Sequence, residues 1–204
     1  MRPLEFWFEF ASTYSYPAAM RIEEAAAAAS VPLVWKPFLL GPVFGQQGWN
    51  DSPFNIYPAK GRYMWRDLER ICTGLDVPLV RPSRFPRNGL MAARVALVGA
   101  AEPWGPAFVR AVYRANFAED RDIASPDVLA TVLDGVGQDA VAMLERVQAP
   151  EVKDALRHQT EQAMALGIFG APTFVSGAEL FWGNDRLEDA LAWHRERQGL
   201  PTEG

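Results

Sequence analysis

Leu4, Phe6, Phe8 and Phe10 fall on alternate positions at the start of the chain. A period of two in large apolar residues predicts a strand with one deeply buried face. Glu5 and Glu9 occupy the other parity, and Trp7 makes that second face partly apolar too, as in a sheet covered on both sides. Ala11-Ser12-Thr13 ends the alternation, and the spacing predicts a helix over about residues 14–29. Its run of five alanines from Ala25 to Ala29 favours the helix and gives a slim profile for packing on a sheet. A second strand is expected over residues 32–40. The first 40 residues therefore predict a β-α-β unit with parallel strands and a right-handed crossover.

The next segment is of a different kind. Residues 41–58 carry Gly41, Gly45, Gly48, Pro42, Pro53 and Pro58, and read as a long loop set with Trp49, Phe54 and Tyr57. Long loops in compact domains tend to be functional, and the aromatics favour a packed loop over a mobile one. From Lys60 to about Gly167 the pattern is helical, with helices expected over roughly 60–75, 88–100, 104–118, 126–134 and 150–166. Ser125 with Pro126 and Asp127 forms a helix start, and Gly167 a helix end. Residues 168–175 and 179–182 read as a hairpin around Ser176-Gly177, and Asp185 is expected to cap a last helix to about Arg197. The order β-α-β, helical block, β-β-α matches an α/β thioredoxin-like fold split by a large all-helical insertion. Residues 1–40 and 168–204 would form the thioredoxin-like domain, and 41–167 the loop plus helical insertion.

Composition removes several function classes. Among 204 residues there is one cysteine, Cys72, so neither an internal disulfide nor a CxxC redox pair is available. His158 and His194 are far apart in sequence, so no histidine metal cluster is expected. The net charge of −5 argues against nucleic-acid binding. No stretch reaches the roughly 18 apolar residues of a membrane span, and Glu5 and Glu9 interrupt the apolar N-terminus where a signal peptide would be uncharged, so a cytoplasmic location is expected. There is no GxSxG elbow, no phosphate loop, no dinucleotide fingerprint and no HExxH.

Two junctions remain. Ser12 stands between the first strand and first helix, where unpaired N–H groups and the helix dipole favour an anion or a thiolate. The plainer reading is that Ser12 only caps the helix. Pro172, in Ala171-Pro172-Thr173, enters a strand, where proline is normally a trans boundary residue; a cis bond is the rarer alternative.

Taken with the helical insertion, the opening Phe8-Glu9-Phe10-Ala11-Ser12-Thr13-Tyr14-Ser15-Tyr16, the step Gly170-Ala171-Pro172-Thr173 and Trp182-Gly183-Asn184-Asp185-Arg186-Leu187 resemble the 2-hydroxychromene-2-carboxylate isomerase family. That family is grouped with kappa-class glutathione transferases and, more distantly, DsbA-like thiol oxidoreductases. Its opening has the form F-D-F-x-S-P-Y/F-S-Y. The resemblance spans essentially the whole chain. It implies a glutathione-dependent enzyme in which a serine replaces a redox cysteine. Ser12 matches that serine, which hydrogen-bonds the glutathione sulfur. Ala171 and Pro172 match a cis-proline step whose preceding backbone pairs with the cysteinyl part of glutathione. Asp185 and Arg186 match S/N-D-R positions at the γ-glutamyl end. Lys60 matches a lysine that reaches the glycine carboxylate, and Asn50 an asparagine of the same loop. Plainer roles exist for each: a cap for Asp185, solvated charges for Arg186 and Lys60, core packing for Trp182 and Phe181, and either the substrate side or packing for Tyr14 and Tyr16. Thr13 and Pro17 depart from the family, which more often has proline and leucine there.

The reaction the resemblance implies converts 2-hydroxychromene-2-carboxylate to trans-o-hydroxybenzylidenepyruvate, in the degradation of aromatic compounds, by reversible thiolate addition. The alternatives are a kappa-like glutathione transferase or peroxidase on the same site, and a DsbA-like scaffold that binds a peptide or protein without catalysis. A homodimer is expected from the resemblance alone.

Overall fold

The structure, a computed structural model, describes residues 2–198; the last six residues of the expected C-terminal unit lie outside the described residues. Strand β1 (Leu4–Phe8) leads into helix α1 (Ser15–Ala28) and strand β2 (Leu33–Pro37). Eight helices come next: α2 (Leu40–Gln46), α3 (Pro53–Ile56), α4 (Pro58–Gly74), α5 (Leu90–Val98), α6 (Gly105–Phe117), α7 (Pro126–Gly135), α8 (Ala140–Arg146) and α9 (Pro150–Ala165). Strands β3 (Thr173–Ser176) and β4 (Glu179–Trp182), a single 3-10 turn at Asn184–Arg186 and helix α10 (Leu187–Gln198) complete the described chain.

The sheet order is β2-β1-β3-β4. β1 runs parallel to β2, with Phe6 opposite Trp35, and antiparallel to β3, with Phe6 opposite Phe174. β3 and β4 form the expected hairpin, Phe174 facing Phe181. This is a thioredoxin-like sheet carrying a helical insertion between β2 and β3.

Both faces of the sheet are covered. On one, Phe6, Phe8 and Trp35 pack together, with Phe6–Phe8 and Phe8–Trp35 centroids at 5.3 and 5.6 Å. On the other, Trp7, Phe38 and Val175 meet Val43 of α2 and Ala163 of α9. The helical insertion docks through α6: the Tyr113 ring lies 5.1 Å from Phe10. Complete burial of an aromatic such as Phe8 contributes about 1.5–3 kcal/mol. Two polar bonds fix the same contact. Tyr113 Oη donates to the Glu9 carbonyl at 2.9 Å, and Asn116 Nδ2 to the Phe10 carbonyl at 3.1 Å. The backbone that leaves β1 is therefore held by α6 at the point where it reaches Ser12.

Several boundaries differ from the sequence reading. The stretch 41–58 is not one open loop, since it folds into α2 and α3. Pro42 sits in the first turn of α2, where no N–H is needed, and Ser52 caps α3 by accepting from Phe54 N at 3.3 Å ahead of Pro53. Helix α8 was not expected; Asp139 caps it by accepting from Ala142 N at 3.0 Å. The strand expected from 168 begins only at Thr173, because Pro172 has no N–H for the ladder. Asp185 lies inside the 3-10 turn instead of capping α10. Among the described residues no helix is long and apolar enough to cross a membrane.

Candidate active site

Ser12 lies just beyond the end of β1, ahead of α1. The chain turns tightly there: Ser12 N donates to the Glu9 carbonyl at 3.0 Å. Ser12 is not the residue at the cap position, which Tyr14 occupies without a side-chain bond. Its hydroxyl nonetheless accepts from Ser15 N at 3.3 Å, and donates to the Ala171 carbonyl at 2.8 Å. Two segments far apart in sequence thus meet at one hydroxyl. The Ala171–Pro172 bond is cis, the rarer of the two alternatives at that junction.

Ser12 and Ala171 border a cleft of about 1510 Å³ between the sheet and the helical insertion. Asn50, Lys60, Asp185 and Arg186 border the same cleft, and Pro172 is buried directly behind it. Arg186 Nη1 bonds Asp189 at 2.7 Å, and its Nη2 lies 3.4 Å from Asp185. Lys60 Nζ stands 5.8 Å from the centre of the Phe54 ring. Lys60, Arg186 and Asp185 thus bring two cations and a carboxylate to the cleft that Ser12 borders.

The rest of the wall is largely aromatic. Trp182 does not take the plainer core role: it is half exposed and packs on Phe169 at 4.9 Å between centroids. Gly170 makes this contact feasible, because a Cβ there would fall 2.5 Å from Trp182 Nε1. Phe44, Trp49 and Phe54 face the cleft from α2, α3 and the segment joining them, whereas Tyr57 does not border it. Tyr14 also faces the cleft and donates to Asp67 at 3.0 Å; burial first, then Asp67, pushes its hydroxyl well above the usual range. Tyr16 instead is core, donating to the Pro78 carbonyl at 2.6 Å. Cys72 is buried in the core, and burial pushes its thiol up to about 11.

Three supporting residues were given no role in the sequence reading, although Glu9 and Gly183 lie within the motifs quoted there. Arg21 on α1 donates to the Asn184 carbonyl at 2.6 Å and to Asn184 Oδ1 at 3.3 Å, and pairs with Glu188, so it pins the segment that carries Asp185 and Arg186. Gly183 has φ +116°, and a Cβ on it would meet Asp185 Oδ1 at 2.5 Å. Glu9, which alternation put on the second face of β1, is buried beside the cleft with Oε2 accepting from Ala11 N at 2.9 Å. Burial pushes its carboxyl up to about 7, against the backbone bonds from Ala11 and Ser12.

The donor set can be tested against a small anionic thiol peptide. Thr13 Oγ1 is buried on the cleft wall with no hydrogen-bond partner. The Thr13 and Tyr14 N–H groups take no acceptor among the described hydrogen bonds, and both precede the positive end of the 14-residue helix α1. Uncommitted donors around Ser12 suit a thiolate, the Asp185 carboxylate suits an ammonium, and Lys60 and Arg186 suit carboxylates. These residues fit glutathione.

Residues 3–192 match the model of the DsbA-like thioredoxin domain. The 2-hydroxychromene-2-carboxylate isomerase of Sphingobium xenophagum is 31% identical over 189 residues, which cover 92% of this chain and 95% of that protein. Human glutathione S-transferase kappa 1 is 25% identical over 203 residues, covering 92% and 88% of the two chains. A solved structure of 2-hydroxychromene-2-carboxylate isomerase superposes with a TM-score of 0.86 at 26% identity, over 98% of this chain and all of the other. With the thioredoxin-like sheet, the helical insertion and a serine facing the cis-proline step, the chain belongs to the DsbA-like thioredoxin-domain proteins and, among them, to the 2-hydroxychromene-2-carboxylate isomerase family.

Proposed function

We propose that this protein is a glutathione-dependent isomerase that converts 2-hydroxychromene-2-carboxylate to trans-o-hydroxybenzylidenepyruvate. The observation that carries the reading is the single cleft in which Ser12, the Ala171 backbone, Lys60, Asp185 and Arg186 converge. Asp185 and Arg186 would take the ammonium and carboxylate of the γ-glutamyl end, and Lys60, with Asn50, the glycine carboxylate. Bound there, glutathione supplies a thiolate that adds reversibly to a conjugated double bond, leaving a single bond free to rotate.

The work of this chain is electrostatic. Ser12 would turn its hydroxyl from the Ala171 carbonyl to the sulfur, which frees that carbonyl for the cofactor's backbone, as in an added strand. The α1 N-terminus reinforces the negative charge, because its N–H dipoles are fixed before the reaction begins. Trp49, Phe54 and the Phe169–Trp182 pair offer flat apolar faces for an aromatic substrate. Likeness to glutathione S-transferase kappa 1 favours the second reading, a transferase or peroxidase on the same site.

The test is conversion of the chromene to its trans product, followed by ultraviolet absorbance. Conversion that needs both protein and glutathione is the expected result. Conversion at the same rate without glutathione overturns the reading, and glutathione binding without conversion of this substrate leaves the transferase.

A further inference from the structure

Glu9 holds no part of glutathione in the reading above, yet its placement is unusual. Its carboxyl is buried on the wall of the cleft, three residues before Ser12 and joined to it by the Ser12 N–H bond to its own carbonyl at 3.0 Å. Oε2 is fixed by Ala11 N at 2.9 Å, which folds the carboxyl forward along the turn toward Ser12. The Ser12 backbone also acts on this carboxyl, and Oε1 lies against Gly89, where a Cβ would stand 3.3 Å away.

No cation neutralises it among the described residues. Arg87 borders the same cleft, but its Nη1 and Nη2 are committed to Asp120, Ser83, Asn116 and the Arg121 carbonyl; its buried Nε has no hydrogen-bond partner and is not bonded to Glu9. Tyr113, the titratable neighbour on α6, donates its hydrogen bond to the Glu9 carbonyl and not to the carboxyl. A buried carboxyl without a counter-charge is costly to keep ionised, and one on the cleft wall it shares with Ser12 is placed to accept a proton.

We propose that Glu9 is the proton acceptor for the cofactor's thiol. The inference rests on the glutathione reading above. In the step, Glu9 Oε1 takes the proton as the S–H bond breaks; an O–H bond forms on Glu9, the electron pair stays on sulfur, and Ser12 donates to the resulting negative charge. When the thiol is restored, the proton returns from Glu9. The pair then holds one negative charge whichever member carries the proton, so the thiolate forms without losing a proton to water. Burial pushes the Glu9 carboxyl to about 7, where it can hold such a proton near neutral pH.

The experiment counts protons and thiolates together. Glutathione is mixed with the whole protein at about pH 8, where most of a carboxyl titrating near 7 is ionised. The thiolate is read by its ultraviolet absorbance, and proton release by an indicator dye in weak buffer. Wild type is expected to release less than about half a proton per thiolate, and Glu9→Gln, which keeps an oxygen for Ala11 N, about one. Glu9→Asp keeps a carboxyl and checks folding independently, with release returning toward the wild-type value. About one proton per thiolate from wild type and variant alike overturns the proposal and leaves the glutathione reading standing. Absence of any glutathione binding to wild type overturns both.

Discussion

Ser12 Oγ and the carbonyl oxygen of Ala171 lie 2.8 Å apart although 159 positions separate them in the chain. The bond joins the exit of β1 to the entry of β3, neighbouring strands at the centre of the sheet. It also sets the resting direction of the hydroxyl that the proposed chemistry redirects to sulfur. Replacing Ser12 by Ala removes two neutral hydrogen bonds, so stability is expected to fall by about 1–3 kcal/mol in a thermal or denaturant melt. The cofactor is affected too, because the donor to the thiolate is lost. The pH at which bound glutathione ionises, read from thiolate absorbance, is expected to rise by at least about one unit, or 1.4 kcal/mol. An unchanged titration in a folded variant contradicts a role for Ser12 at the sulfur.

Glu9 makes the stability of the free protein depend on pH. In the folded chain its carboxyl keeps its proton up to about 7, and in the unfolded chain only to about its ordinary 4.5. Between those values the unfolded chain binds fewer protons, so stability falls as pH rises through the window. The full difference is about 3 kcal/mol, present above both values. Glu9→Gln lacks this slope, so denaturant melts from about pH 4 to 8 are expected to show the variant gaining on wild type as pH rises. Parallel curves contradict a buried, uncompensated carboxyl.

Arg21 acts at a distance from the reacting atoms, through Asn184. Arg21→Met keeps much of the apolar stem and loses the guanidinium, so the segment carrying Asp185 and Arg186 loosens. Glutathione KM is expected to rise about tenfold, equivalent to 1.4 kcal/mol, with kcat within about twofold. A kcat loss as large as the KM change would place Arg21 in the chemistry instead.

Gly183 is the second support of that segment. With φ +116° and Asp185 Oδ1 in the way of a Cβ, Gly183→Ala is strained both in its backbone and by contact. It is expected to cost about 1–3 kcal/mol and to weaken glutathione binding in a calorimetric titration. Wild-type affinity and stability together would contradict the placement of Asp185.

Cys72 is the lone thiol of the chain and sits in the core facing away from this chemistry. With its thiol pushed up to about 11, labelling at neutral pH is expected to track opening of the fold, at least about 100-fold slower than for a small free thiol. Rapid labelling of native protein contradicts this.

How much of the fold and the site is legible in the sequence depends on the range of the interactions. The alternation of Leu4, Phe6 and Phe8, the hairpin turn at Ser176-Gly177 and the long amphipathic helices are local patterns, and each predicted its element. Ser52-Pro53 and Asp139 carry helix-start signals of the same kind as Ser125-Pro126, but α3 and α8 are too short for periodicity to draw attention to them. Alternation gave Glu9 a parity but no role, because its place on the cleft comes from the turn after Phe8, where the strand ends and the chain is held by α6. Sequence left Trp182 between the core and the cleft, because the space that Gly170 opens for it depends on the fold. Arg21 acts through a partner 163 positions away, a distance at which spacing carries no information. The convergence of Ser12, Lys60, Asp185 and Arg186 on one cleft followed from the family resemblance; no pattern within the chain states it.

In the proposed function, a glutathione thiolate held at Ser12 performs the isomerisation. The deciding experiment follows the ultraviolet spectrum of 2-hydroxychromene-2-carboxylate with wild type and with Ser12→Ala, each with and without glutathione. Trans product is expected only where wild type and glutathione are both present, with a rate at least about 100-fold lower for Ser12→Ala and glutathione. Equal rates for the two proteins, or conversion by wild type without glutathione, would refute a Ser12-held thiolate.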